Sequence, residues 1–206
     1  MPGSRIAEAL RREQIIGAAH QVARRGGLRA VTIRDVAKKA QVSTGLVVFH
    51  FRTKERVLLA LLDHVLATTI TLRVSPAIDA IEDPLERLVM LLRQEMARLS
   101  AEPMHNRLFF EFWHEGVWNR AVRTRMQREL DRYRAAFRPM AAEVIASDPD
   151  RFAGTTAESL AAVAVSFIKG CALQSMVEPN LDVIGFLRAA EALLVPASAG
   201  TRRFGA

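Results

Sequence analysis

The chain has 206 residues, 50% hydrophobic and 25% charged, a balance that supplies a globular core and excludes intrinsic disorder for the bulk of it. No stretch approaches the roughly 18 uninterrupted apolar residues of a membrane span, and the N-terminus lacks a signal-peptide-like apolar segment. The single cysteine, Cys171, rules out an internal disulfide or a CxxC redox pair, so a soluble cytoplasmic protein is expected.

The net charge of +7 is unevenly placed. Residues 1–56 carry 12 Lys+Arg against 4 Asp+Glu, whereas residues 57–206 carry 17 against 18. A basic module on a near-neutral body points to a polyanion, most often nucleic acid, with an anionic membrane surface as the competing reading.

Apolar residues recur at Ile15/Ile16, Ala19 and Val22/Ala23 until Gly26-Gly27, which predicts a first helix from about Ala9, preceded by frayed residues. Thr32 is an N-cap candidate with Asp35 three residues on, opening a second helix through Ile33, Val36, Ala37 and Ala40. Ser43 is a second N-cap candidate eleven residues later, and Thr53 a third, with Lys54-Glu55 opening a longer helix through Val57, Leu58, Leu61, Leu62, Val65 and Leu66. Val47-Val48-Phe49-His50-Phe51 has β-prone residues, but wedged between two cap signals it reads as helix.

Ser75-Pro76 and Asp83-Pro84 punctuate next. A stripe of Leu85, Leu88, Val89, Leu92 and Met96 runs to Glu102-Pro103, and an aromatic-rich helix covers 106–116. A long helix is predicted over 120–146, closed by Asp148-Pro149-Asp150, then two last helices over 156–177 and 182–195. The tail 196–206 has the composition of a disordered segment. The fold class is all-α with about nine helices, without internal repeats.

Two short helices whose caps lie eleven residues apart have the spacing of a helix-turn-helix, with Val36, Ala37, Ala40, Val42, Leu46 and Val47 locking the pair. An ordinary αα-corner has the same spacing. The charge localisation favours DNA.

Residues 15–58 resemble the DNA-binding domain of TetR-type transcriptional regulators. Gly26-Gly27, Thr32-Ile33, Asp35-Val36-Ala37, Val42-Ser43-Thr44-Gly45, Phe51 and Lys54-Glu55 carry the likeness. The Ser-Thr-Gly stretch and Phe112-Trp113 are most similar to the choline-responsive BetI branch. The resemblance implies a DNA-binding domain over 1–56 and an effector-binding and dimerisation domain over 57–195. It implies a ligand-responsive regulator, most often a repressor, that binds an inverted-repeat double-stranded operator as a homodimer. Three positions depart from the pattern. Gln41 stands where a turn glycine is usual, Val48-Phe49-His50 replaces one or two tyrosines, and Lys169 stands where an aspartate often precedes glycine.

On DNA, the helix starts at Thr32 and Lys54 are expected to clamp backbone phosphates, and Arg34 to reach the backbone or a base edge. The recognition helix, residues 43–49, would offer Ser43, Thr44, Gly45, Val48, Phe49 and His50 to the major groove. It holds no Arg, Asn or Gln, so direct base readout is thin, and Arg34 or an arm of Arg5, Arg11 and Arg12 would supply much of the rest.

In the body, five of the thirteen aromatics fall at Phe109, Phe110, Phe112, Trp113 and Trp118. Core packing and an effector pocket are both open readings. A pocket would add Glu115, Met96, Met126, Tyr133, Phe137 and Phe167, and aromatic faces beside a carboxylate would favour a cationic effector, with a hydrophobic one close behind. The resemblance implies dimer pairing through the last two helices, where Phe167, Gly170, Leu173, Leu187 and Leu194 are the candidates and Cys171 is an apolar filler. His20, His50, His64, His105 and His114 form no metal spacing, and no GxSxG, P-loop or GxGxxG is present. No enzyme activity, cofactor, metal or membrane partner is expected. The alternative is a helical protein- or membrane-surface-binding module.

Overall fold

The computed structural model describes residues 2–69, 72–101, 103–178 and 180–194. Among them the chain forms ten α-helices and no strand: α1 (Pro2–Gly26), α2 (Ile33–Ala40), α3 (Thr44–Phe51), α4 (Lys54–Thr69), α5 (Pro76–Asp79), α6 (Pro84–Ala101), α7 (Pro103–Trp118), α8 (Arg120–Ser147), α9 (Ala157–Gln174) and α10 (Val183–Leu194). The all-α expectation holds, and the one-turn α5 is the element the apolar periodicity could not show. The segment 196–206 lies outside the described residues.

The prolines read as punctuation open helices. Pro76 and Pro84 occupy first helical positions, where a missing N–H leaves no bond unmade. Asp83 caps α6 by accepting from Glu86 N–H at 2.7 Å. The first helix begins at Pro2 rather than near Ala9, again with proline in the opening turn. Pro139 is different, for it lies inside α8. Its ring withdraws one donor from the helix and leaves a carbonyl one turn earlier without its usual partner.

The chain forms two compact units. The first takes residues 1–71 and 103–131, the second 72–102 and 132–206, so α8 begins in one and ends in the other. In the first unit Ile15, Ala19, Val36, Val47, Phe51, Val57, Leu61, Leu108, Phe109 and Phe112 are buried. In the second, Leu88, Leu91, Leu92, Phe137, Val144, Leu160 and Ile168 are buried. By length and composition alone α9 could cross a membrane, but its apolar residues Leu160, Ala161, Ala164, Val165 and Ile168 are buried inside the unit.

The α2–α3 turn contains Gln41 at φ 55, ψ 43, in the left-handed region, where its N–H closes the end of α2 onto the Ala37 and Lys38 carbonyls. A side chain there costs about 1 kcal/mol relative to glycine. Gln41→Gly is therefore expected to stabilise the protein by up to about 0.6 kcal/mol after the greater freedom of glycine in the unfolded chain is counted. Thermal denaturation of the pair checks it; a lower melting temperature for Gln41→Gly would show that the turn carries no such strain.

Candidate nucleic-acid interface

A helix of eight residues cannot stand alone, so α2 and α3 exist through their caps and the helix beneath them. Thr32 Oγ1 accepts from Asp35 N–H at 3.1 Å and its hydroxyl donates to the Asp35 carboxylate at 2.6 Å. Ser43 Oγ accepts from Leu46 N–H at 3.1 Å and starts α3. Thr53 Oγ1 accepts from Arg56 N–H at 3.3 Å and starts α4. All three cap residues read from the sequence do this work.

The C-terminal ends are closed from α1, which the sequence did not announce. Gln14 Nε2 donates to the Ala40 carbonyl at 2.8 Å, capping α2. Arg12 donates to the His50 carbonyl at 2.6 Å while its guanidinium lies 4.4 Å from the centre of the Phe51 ring, capping α3 with a full positive charge. Arg11 donates to Gln14 Oε1 at 2.7 Å. Of the expected arginine arm, then, Arg11 and Arg12 are engaged within the protein, and the Arg5 side chain lies outside the described residues.

These contacts leave one face of α3 open. Ser43, Thr44, Gly45, Val48 and Phe49 are exposed, and His50, its ring edge-to-face with Phe49, is half-buried. Arg34 is exposed in the first turn of α2, and Lys54 is half-buried at the first position of α4. Two of the helix N-termini thus carry a basic residue or sit beside one, as a phosphate contact requires.

Between α3 and α4 the backbone makes a tight reversal. Arg52 adopts φ 65, ψ −49, and Thr53 N–H donates to the Phe51 carbonyl at 2.7 Å across it. This is a γ-turn of the strained hand, paid for by the packing on either side.

The same unit holds the aromatic helix α7. Phe109 and Phe112 are fully buried and serve as core, whereas Trp113 and Trp118 are 41% and 79% exposed and Glu115 is exposed. Trp113 packs edge-on against Phe109 at 5.7 Å and, with buried Met126, lines a groove of about 270 Å³. Glu111, which the sequence did not single out for binding, accepts from Leu28 N–H at 2.7 Å and pairs with Arg107 at 3.3 Å. Gly27 makes this possible: it sits at φ +72, and a Cβ there would fall 2.9 Å from the Glu111 carboxylate. A salt bridge of 3.1 Å from Asp63 on α4 to Arg125 on α8 ties two further helices of this unit.

The remaining pocket candidates, Met96, Tyr133, Phe137 and Phe167, belong to the second unit, where the first three are buried and Phe167 is half-buried. Here the structure shows a polar group without a signal in the apolar periodicity. Glu95, fully buried, accepts from Tyr133 Oη at 2.6 Å and from Arg98 through Nε at 3.2 Å and Nη2 at 2.6 Å. Burial, reinforced by Glu95, pushes the Tyr133 hydroxyl well above its ordinary value. The ammonium of Lys169, only 6% exposed, lies 5.2 Å from the Tyr133 ring centre. Burial first, then Arg98, lower it from 10.5 to about 8 against the pull of Glu95.

Of the dimer candidates, Leu173 is exposed, Phe167 and Gly170 are half-buried, and Leu187 packs inside the unit. The Leu194 side chain lies outside the described residues. Val163, Val177 and Ile184 add exposed apolar surface on and just beyond these last helices.

A family model described as bacterial regulatory proteins, tetR family, matches residues 15–61. A second, described as the C-terminal part of BetI-type transcriptional repressors, matches residues 84–195. No curated protein matches the sequence. Among solved structures, a TetR transcription regulator from Haloarcula marismortui is similar at 21% identity and TM-score 0.70, over 90% of this chain and 96% of that one. FadR from Bacillus subtilis in complex with stearoyl-CoA is similar at 20% identity and TM-score 0.68, over 89% and 97%. A regulator from Saccharomonospora viridis in complex with choline is similar at 21% and 0.66, over 87% and 92%.

Two outcomes follow from the geometry. Arg12→Ala removes both the charged cap and the ring contact at the end of α3, and is expected to cost about 1–2 kcal/mol in a denaturation series. An unchanged midpoint would show that the contact is idle. Lys169 is a base whose folded pKa, about 8, lies below its unfolded 10.5, so the protein gains stability as pH rises through that window. Lys169→Met is expected to melt above the wild type near neutral pH, with the gap closing toward alkaline pH. A gap that widened with pH would reverse the assignment.

Proposed function

Because this chain belongs to the tetR family of bacterial regulatory proteins, with a C-terminal domain of the BetI-type transcriptional repressor kind, we propose that it is a cytoplasmic, ligand-responsive repressor. It binds an inverted-repeat operator as a homodimer and leaves it when a small-molecule effector is bound. As a family member it is a DNA-binding regulator and not an enzyme.

The observation that carries this reading is the doubly capped α3. Its exposed Thr44, Gly45, Val48 and Phe49 are held between the helix starts at Thr32 and Lys54. Thr44 reads by its hydroxyl and Val48 against a thymine methyl, a code with few bidentate contacts and correspondingly more reliance on DNA shape. Release runs through the first unit. Glu111 joins α7 to the start of the segment that leads into α2, and Asp63–Arg125 joins α4 to α8. A ligand that shifts α7 or α8 therefore acts on the segment before α2 and on α4, the elements that flank the reading helix.

The similar structures were solved with ligands as different as choline and stearoyl-CoA, so the effector class must be argued from this chain's own residues. Trp113, Trp118 and Glu115 are too exposed to enclose a cation, and water weakens such a contact. A ligand with a substantial apolar part fits the body better. Dimerisation would use the exposed apolar residues of α9 and α10, Leu173 and Ile184 among them.

Lys54→Ala should weaken binding to all sequences alike and shallow the salt dependence by about one unit, while Thr44→Ala relaxes discrimination at one base pair. An operator selected from randomised duplexes, then titrated at several salt concentrations, separates the two. Leu173→Glu is expected to give monomers that lose the inverted repeat, whose half-sites lie about one DNA turn apart. Sedimentation of the wild type as a micromolar monomer would overturn the dimer. Flotation with anionic liposomes and no retardation of any duplex would favour a membrane-surface module instead.

A further inference from the structure

We propose that the groove between α1 and α2, lined by Arg25, Lys38, Lys39 and Gln41, holds operator phosphates other than those at the starts of α2 and α4; this rests on the reading of the chain as a DNA-binding regulator. The groove has a volume of about 710 Å³ and runs along α2 from Thr32 before its start to Gln41 at its end, with Val22, Arg25 and Gly26 of α1 on the other side. None of its described lining residues belongs to α3 or α4.

Three cations share this groove with one carboxylate. Asp35 already accepts the Thr32 hydroxyl at 2.6 Å. Arg25, Lys38 and Lys39 are exposed, and the ion pairs of the described residues do not include them. Basic residues in the last turns of α1 and α2 also suit the helix dipole. That role asks each residue to lie near its own last carbonyls and does not require the two sets to converge. Here they line one groove, where like charges repel and an anion among them relieves the repulsion.

A second observation does not depend on charge. Gln41 holds a left-handed conformation, φ 55, that glycine adopts without strain. Its backbone N–H closes α2, a task open to any residue at that φ. Its side chain is exposed, makes no hydrogen bond within the protein, and lines the groove. A side chain that costs stability and stays in solvent points to a use outside the fold. An amide beside three cations can donate to a phosphate oxygen without adding charge. Ser43, the cap of α3, follows two residues later, so this end of the groove opens beside the reading helix. An eight-residue helix is about 12 Å long. Successive phosphates of one strand advance about 3.4 Å along the duplex axis, so the groove spans about two or three of them.

The test compares the full-length wild type with the triple variant Arg25→Gln, Lys38→Gln, Lys39→Gln and with Gln41→Gly, on an operator selected by the wild type from randomised duplexes. Affinity is titrated between about 50 and 200 mM salt, and the phosphates that matter are mapped by ethylation interference. The triple variant is expected to bind at least about tenfold more weakly at about 100 mM salt and to lose about two to three units of salt dependence. It should also tolerate ethylation at about two or three phosphates where the wild type does not, with its base preference unchanged. Gln41→Gly should bind about two- to threefold more weakly while melting no lower than the wild type. Binding by Gln41→Gly as tight as that of the wild type overturns the part assigned to that side chain. A triple variant with the wild-type salt dependence and interference pattern overturns the proposal and leaves the regulator reading standing. A wild type that retards no duplex overturns both. Calorimetric titration with pyrophosphate separates a free-phosphate site from a DNA contact. Saturable binding that the triple variant loses, with an unchanged interference pattern, overturns DNA as the occupant. Should the triple variant fail to fold by circular dichroism, Lys38→Gln and Lys39→Gln are read singly, each expected to remove about one unit of salt dependence and one phosphate from the pattern.

Discussion

The geometry of the α2–α3 pair depends on how the end of α3 is closed. The helix is eight residues long, too short to hold its own hydrogen bonds against water, and the turn that follows it bonds the Phe51 carbonyl through Thr53 N–H. The Arg12 guanidinium answers the His50 carbonyl from α1, 38 residues earlier in the chain, and covers Phe51 as it does so. Because α1 also closes α2 through Gln14, one helix fixes the C-terminal ends of both short ones. The crossing of α2 and α3 is thus set by α1 as much as by the turn between them. Part of the basic charge of the first quarter of the chain is accordingly structural, and the rest is what the proposed phosphate contacts draw on.

Such a frame also explains where reading the sequence succeeds. Caps are local: Thr32, Ser43 and Thr53 each bond a backbone N–H three residues on, and side-chain chemistry at that spacing is visible without a structure. The left-handed turn at Gln41 was legible for the same reason, since a position that ordinarily takes glycine announces its φ. Contacts over long separations leave no such trace. Arg12 reads as part of a basic arm for DNA, and Glu111 as a carboxylate beside an arginine, until the chain folds and brings the His50 carbonyl to the one and Leu28 to the other across 83 residues. Glu95 sits beside Met96 at the end of a stripe of leucines and on the same helical face, where its charge argues for solvent although its position does not. Only the arrival of Tyr133 and Lys169 gives it a reason to be buried. The aromatic cluster divided for a related reason. A helix of alternating large rings has more than one face, and Phe109 and Phe112 took the inward one while Trp113 and Trp118 were left out.

The proposed coupling of ligand binding to DNA binding rests on the composition of the first unit rather than on a dedicated hinge. It contains α7 and the start of α8 together with the DNA-facing helices, and Glu111 fastens α7 to a backbone N–H rather than to a mobile side chain. A displacement of α7 is then felt by the main chain that enters α2. Such an arrangement needs only small shifts, because packed helices tend to move between discrete arrangements rather than deform continuously.

The discontinuity of that unit has a consequence for biosynthesis. The chain completes α4, leaves to build α5 and α6, and returns at Pro103 before leaving again after Asp131. During translation the reading head therefore emerges long before Glu111, the residue that secures its Gly27–Leu28 corner. A nascent chain released or stalled before α7 presents α1 to α4 with a basic surface but with that corner unlatched and the α7-facing apolar side uncovered. Such a fragment is the form most exposed to proteases and to chance contacts. Synthesis through Asp131 thus sets a lower limit on when the first unit is complete in the cell.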